Sequence, residues 1–143
     1  MPGGAAIAER QDFSGEADRA RLSAVALKAY RRLVGQWGLT GQQAAALLDV
    51  STSTWERIKA DGRGKALSQD QMTRISALVG IYKGLHLLFA DGMADDWIRL
   101  ANAGPLFARM SPLESMIRGG IPQMLEVRRH VDAVQRAARH WPA

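Results

Sequence analysis

Apolar positions recur at spacings of three and four through most of the chain, and polar residues fill the gaps between them. That period belongs to amphipathic helices. Between Glu16 and Gln36 the apolar stripe is Leu22, Val25, Ala26, Ala29, Leu33 and Val34. Arg19, Arg21, Lys28, Arg31 and Arg32 lie mostly between these positions, and Gly35 and Gly38 close the predicted helix. Thr40 starts a short helix over "GQQAAALL", Asp49-Val50 is a turn, and Ser51 begins a helix over "TSTWERIKA" that "DGRG" ends. Ser68, followed three residues later by Gln71, has the form of a capping box. The helix behind it carries Leu67, Met72, Ile75, Leu78, Val79, Tyr82, Leu85 and Phe89, and is either continuous or bent at Gly80 and Gly84. Asp91-Gly92 predicts a turn, "MADDWIRLAN" a further helix that Asn102 caps, and "AGPLFARM" a loop with apolar side chains.

Two helix starts follow in quick succession. Ser111 is placed to accept from the backbone N–H of Glu114, with Glu114 reaching back, and Pro112 fills the first helical position, where a missing N–H does no harm. Leu113, Met116 and Ile117 give this helix one apolar face of about two turns, too short to stand alone. Gly119-Gly120 predicts a positive-φ corner that also admits a second backbone. Pro122 restarts a helix through Met124, Leu125, Val127, Val131, Val134 and Ala138. No period-two alternation occurs and β-branched residues are sparse, so the predicted class is all-α. The organisation expected is a mobile arm at 1–14, a helix-turn-helix domain at 15–66 and a C-terminal helical domain at 67–143.

Composition adjusts this picture little. The 143 residues are 47% hydrophobic and 23% charged, as in ordinary globular proteins. The net charge of +5 suits a polyanionic partner, with plain solubility as the simpler account. There are no cysteines, so disulfides and thiolate metal sites are excluded. "MPGGAAIAERQ" lacks the form of a signal peptide, and "ISALVGIYKGLHLLFA" is interrupted by Lys83 and His86 and too short for a bilayer. A soluble, cytoplasmic protein is expected. His86, His130 and His140 have no metal-ligand spacing, Asp95-Asp96 is explained by a helix start, and no glycine-rich phosphate loop follows a strand. Neither catalysis nor a cofactor is expected.

Candidate chemistry concentrates in "LTGQQAAALLDVSTSTWERIKADGR", residues 39–63. A DNA-reading helix-turn-helix needs a small residue where its helices cross, apolar pins around the turn and polar residues on the outer face. Ala45 is the small residue, Leu48 and Val50 flank the turn, and Trp55 and Ile58 face inward. Thr52, Ser53, Glu56 and Arg57 then point outward near the second helix's start, with Gln42 on the first helix beside them. Ser51 caps that start, and Lys59, Arg63 and Lys65 are available for phosphates. An ordinary helical hairpin with a solvated polar face is the competing reading. The segment resembles the helix-turn-helix of Xre-type repressors, although Asp49 stands where they usually carry glycine.

Residues 97–135 resemble the C-terminal domain of the Xre/ParS antitoxins that pair with RES-domain toxins. The resemblance is carried by Trp97, Asn102, Leu106-Phe107, Ser111-Pro112-Leu113 and Gly119-Gly120 in that order, and covers about residues 20 to 140 with the helix-turn-helix. Arg109-Met110 stands where members commonly have glycine. The resemblance implies a type II antitoxin, dimeric, that covers the NAD-binding cleft of a RES toxin and represses its own operon by binding double-stranded operator DNA. Candidate toxin contacts are Arg109, Arg118, Arg128, Arg129, Arg136, His140 and Trp141, against the simpler reading of a solvated basic face. Trp97, Asn102, Ser111, Pro112, Gly119 and Gly120 are expected to be architectural, as are Ala45, Trp55 and Ile58. A regulator whose C-terminal domain only dimerises is the alternative.

Overall fold

A computed structural model describes residues 16–61, 66–101 and 104–140, and its described residues contain helices and no strand. The order is α1 (Glu16–Trp37), α2 (Gly41–Leu48), α3 (Thr52–Asp61), α4 (Gln69–Leu88), α5 (Asp91–Asp96), a 3-10 turn (Trp97–Arg99) and α6 (Pro112–Arg139). The expected arm at 1–14 and the residues Arg63, Lys65, Asn102 and Trp141 lie outside the described residues.

The side of α1 that enters the core only partly overlaps the predicted stripe: Leu33 is buried and Leu22, Ala26 and Val34 pack against the core from its edge. Leu27, Tyr30, Leu33 and Trp37 are buried at spacings of three, three and four, and Ser23 continues the same face. Val25, from the predicted stripe, is 67% exposed. The helix has two apolar faces, and the one bearing Tyr30 and Trp37 removes far more apolar surface from water. Ser23 Oγ accepts from the backbone N–H of Leu67 at 2.8 Å, pinning the approach to α4 against α1. Gly35 lies within α1 rather than ending it. Gly38, at φ +60°, makes the stop, and Arg99 covers it by donating from Nε to the carbonyl of Trp37 at 3.1 Å.

Short-range capping sets the next helices. Thr40 and Gln43 form a reciprocal box at 2.9 and 3.1 Å, and Ser68 and Gln71 another at 3.0 and 3.1 Å. Each satisfies two of the donors a helix start leaves unpaired. α4 runs unbroken through Gly80 and Gly84 and makes its most extensive packing with α6. Gly84 makes that packing close: a Cβ there would stand 2.6 Å from Cγ1 of Val131.

Asp91-Gly92 is not the predicted turn but the first turn of α5. The chain reverses one step earlier, through extended Phe89 and Ala90. A carboxylate at a helix start is favoured by the dipole, and Asp91 also bonds His86 on α4. The helix expected over 93–102 is therefore shifted: α5 ends at Asp96 and tightens into the 3-10 turn.

At the C-terminal corner the serine cap forms as expected, Glu114 N–H donating to Ser111 Oγ at 3.1 Å. The reciprocal arm does not: Glu114 pairs with Arg118 at 3.1 Å, one turn on. Gly120 alone takes the positive φ (67°, ψ −150°), and it is the only non-helical residue between Pro112 and Arg139. Gly119 stays helical, and its reason is steric, because a Cβ there would lie 2.6 Å from Cβ of Gln123. Among the described residues no second backbone lies within 4 Å of a Cβ built at either glycine; the neighbours there are the side chains of Gln123 and Arg74. Gln123 locks the corner by donating from Nε2 to the carbonyl of Leu106 at 3.1 Å and to Ser115 Oγ at 3.2 Å. One hydrophobic core runs from Leu27 on α1 through Leu47, Trp55, Leu78 and Ile98 to Val131 on α6.

Candidate functional site

The α2–turn–α3 unit carries the predicted helix-turn-helix geometry. Ala45 is buried on α2, and Trp55 and Ile58 are buried on α3. Trp55 meets the ring of Tyr30 edge-on, centroids 5.5 Å apart, which ties α3 to α1. Tyr30 Oη donates to the carbonyl of Ala44 at 2.7 Å, and burial pushes its hydroxyl pKa up, so it stays a donor. Asp49 takes the left-handed conformation, φ 60° and ψ 49°, in which glycine is commonest, with its N–H on the carbonyls of Ala45 and Ala46. The departure from glycine changes the residue but not the turn. Arg74 of α4 completes the unit, donating from Nη1 to the carbonyl of Leu47 at 3.1 Å while Nε holds Asp70 at 2.8 Å.

Ser51 caps α3 as expected, accepting from the N–H of Thr54 at 3.1 Å. Thr52, Ser53, Glu56, Arg57 and Lys59 are all exposed, and Gln42 is exposed on α2. Intrahelical contacts hold several of them: Arg57 donates to Thr54 Oγ1 at 3.2 Å, and Lys59 pairs with Glu56 at 3.3 Å. Gly41 admits Glu56 close to α2, since a Cβ at 41 would be 3.2 Å from its Oε1. The outer face thus offers hydroxyls, an amide, two cations and one carboxylate. This mixture supplies both donors and acceptors to base edges, and the exposed cations suit phosphates.

The C-terminal candidates separate. Trp97 is half-buried, edge-on to Phe107 (5.8 Å) and stacked with His130 (6.3 Å), so it joins an aromatic cluster with Phe107 and Leu113 in the core beside it. Ser111 is the N-cap of α6 and Pro112 opens its first turn. Arg109 is exposed at φ 68°, the conformation its glycine counterpart would take freely. Arg118 and Arg129 are exposed and pair with Glu114 and Glu126 on their own helix. Arg136 and His140 are exposed near the end of α6. Arg128 does not share the polar face expected with Arg129 and Arg136. It lies across α4 over Gly80 and donates to the carbonyl of Ser76 at 3.3 Å. Residues 128 and 129 are 100° apart round a helix, so adjacent arginines need not share a face.

Sequence reasoning missed four side chains that position these surfaces: Arg74, Arg99, Gln123 and His86. The last bonds Asp91 at 3.0 Å through Nδ1 and Asp95 at 2.8 Å through Nε2. Burial lowers its pKa, but the two carboxylates outweigh that and leave it raised. For the carbonyls that Arg74 and Arg99 cap, the sequence holds no local signal, because they are 27 and 62 positions away. No described helix is long and apolar enough to cross a membrane, and no described cluster of acidic, histidine or cysteine side chains fits a metal.

Residues 16–80 match the family described as the antitoxin Xre-like helix-turn-helix domain. The chain is also 34% identical over 122 residues to a protein of Sinorhizobium fredii (strain NBRC 101917 / NGR234) named "Uncharacterized protein y4oB", across 84% of this chain and 91% of that one. Likeness of that depth over nearly the whole of both chains places them in one family, and the chain belongs to it, with an antitoxin Xre-like helix-turn-helix domain at its N-terminal side.

Proposed function

We propose that the protein is the antitoxin of a type II toxin–antitoxin pair. It binds a RES-domain toxin with its C-terminal unit (67–143), covers the toxin's active site, and represses its own operon through the helix-turn-helix unit (15–66). The observation that carries this reading is the match of residues 16–80 to the antitoxin Xre-like domain, on a fold whose α3 presents an uncovered polar face. The order of Trp97, Leu106-Phe107, Ser111-Pro112-Leu113 and Gly119-Gly120 supports the RES pairing by resemblance. Toxin contacts fall to the exposed Arg109, Arg118, Arg129, Arg136 and His140, and to Trp141, which lies outside the described residues. The protein acts as a homodimer, which requires its two α3 helices to lie about 34 Å apart, or a multiple of that, to read major grooves on one face of the operator.

An adjacent reading frame for a small toxin, and co-expression with that toxin, test the first half. Rescued growth and copurification are expected, and a toxin that is neither bound nor silenced would leave only the alternative of a stand-alone regulator. Promoter binding tests the second half. Arg57→Ala is expected to weaken it, with a salt slope of about −0.9 per phosphate contacted. Unchanged binding after that substitution removes Arg57 from the reading face.

A further inference from the structure

The apolar stripe of α1 beside the core, partly buried at Leu22 and Ala26 and exposed at Val25, lines a groove. Leu22, Val25, Ala26 and Ala29 form one wall, and Ile75 and Val79 of α4 belong to the opposite side. Two clefts of about 670 and 300 Å³ share Ala29, Val79 and Lys83 and so make one groove. It follows α1 from Leu22 to Gln36. At 1.5 Å per residue that is about 21 Å, the length of a helix of roughly four turns.

The rim is cationic. Arg31, Arg32 and Lys83 line it, and none of the three pairs with a described carboxylate. Asp91 and Asp95, whose charges reach Tyr82 on the groove, are held by His86. An apolar floor between unmatched cations is complementary to an amphipathic helix with carboxylates along its edges. A second copy docked groove to groove would bring like charges together. Operator DNA is engaged elsewhere: Leu22, Val25, Ala29 and Arg32 lie roughly 80–160° round α1 from Tyr30, the residue that meets Trp55 of α3.

We propose that this groove is a second docking site for the toxin and takes an acidic amphipathic helix of it. Its apolar face lies on Val25, Ala29 and Val79, and its carboxylates lie on Arg32 and Lys83. The assignment rests on the antitoxin reading for the identity of the partner and adds a surface far from the end of α6.

The test measures affinity of the full chain for the copurified toxin, in the unaltered protein, an Arg32→Glu/Lys83→Glu double variant and Val25→Asp. All three side chains are exposed, so circular dichroism and melting temperature should not change. The double variant is expected to bind at least tenfold more weakly, with a flatter salt dependence. Val25→Asp is expected to weaken binding by a similar factor at every salt concentration. Absence of any complex with the unaltered chain overturns the antitoxin reading and this site with it. A complex that both variants form with unaltered affinity overturns the groove alone. Variants that lose the homodimer or promoter binding but keep full toxin affinity assign the groove to a second copy or to DNA and also overturn it.

Discussion

Gly84→Ala offers a stringent check on the packing between α4 and α6. An added Cβ would stand 2.6 Å from Cγ1 of Val131, where ordinary contacts lie at 3.4–4 Å. Val131 is 1% exposed and β-branched, so its χ1 is stiff and it has no free space to turn into. The helices must therefore separate or Val131 must leave its rotamer. Overpacking of this kind costs about 2–3 kcal/mol, against which alanine returns about 1 kcal/mol of helix propensity. The net expectation is a loss of about 1–2 kcal/mol, or roughly 3–6 °C in melting temperature for a domain of this size. Urea titration followed by circular dichroism gives the number. Val131→Ala in the same background should relieve the clash, so the double variant should be more stable than the sum of the single effects by about 1 kcal/mol. Gly80→Ala, one turn earlier, serves as the control. The three atoms its Cβ would meet first all belong to the guanidinium of Arg128, from 2.5 Å, the end of a long side chain that can swing away. It should be neutral or stabilise by up to about 1 kcal/mol. The reasoning is refuted if Gly84→Ala raises the urea midpoint, or if its effect adds independently to that of Val131→Ala.

Other expectations follow from single backbone or side-chain features. Asp49→Gly should stabilise by about 0.5–1 kcal/mol, since the left-handed conformation at φ 60° is harder for a residue with a Cβ; a lower denaturation midpoint would refute it. Gly120→Ala should destabilise by about 1–2 kcal/mol, because φ 67° with ψ −150° lies outside the ordinary left-handed basin, and an equal melting temperature would mean the corner can be remade without it. The raised pKa of His86 means that its bonds to Asp91 and Asp95 stabilise the fold fully below the unfolded pKa, about 6.5, and less as pH rises through the folded value. Stability should therefore fall over that window, and His86→Gln should flatten the fall; an equal slope in the variant would show that another group titrates.

Much of the local structure was legible because its causes are local. Ser51, Ser68 and Ser111 each accept from the N–H three residues on, and a three-residue spacing can be read from any sequence. Asp49 in the left-handed turn is of the same kind, as is Pro112 at the first position of α6. The two inward residues of α3, Trp55 and Ile58, follow from a single helical period once the turn is placed. The outer face of α3 was legible for the same reason.

The tertiary structure decided what period and spacing leave open. α1 has two apolar faces, and only the presence of α2, α3 and α4 selects the one with Tyr30 and Trp37 for the core, leaving Val25 on a groove. Gly84 at the α4–α6 crossing is read as a possible bend until Val131 is seen against it. Long polar side chains are the least legible of all. Arg99 caps α1, Arg74 caps α2, Arg128 crosses to α4 and Gln123 ties the corner of α6 to the preceding loop. Each can reach several ångströms in many directions, and the carbonyl it finds lies at a helix end for Arg99 and Arg74, within α4 for Arg128 and in a loop for Gln123, on segments that only folding brings near. A periodic apolar pattern determines that helices form and roughly where they stop. Which faces meet, and which charges remain free for a partner, is settled by competition among surfaces that are distant in sequence.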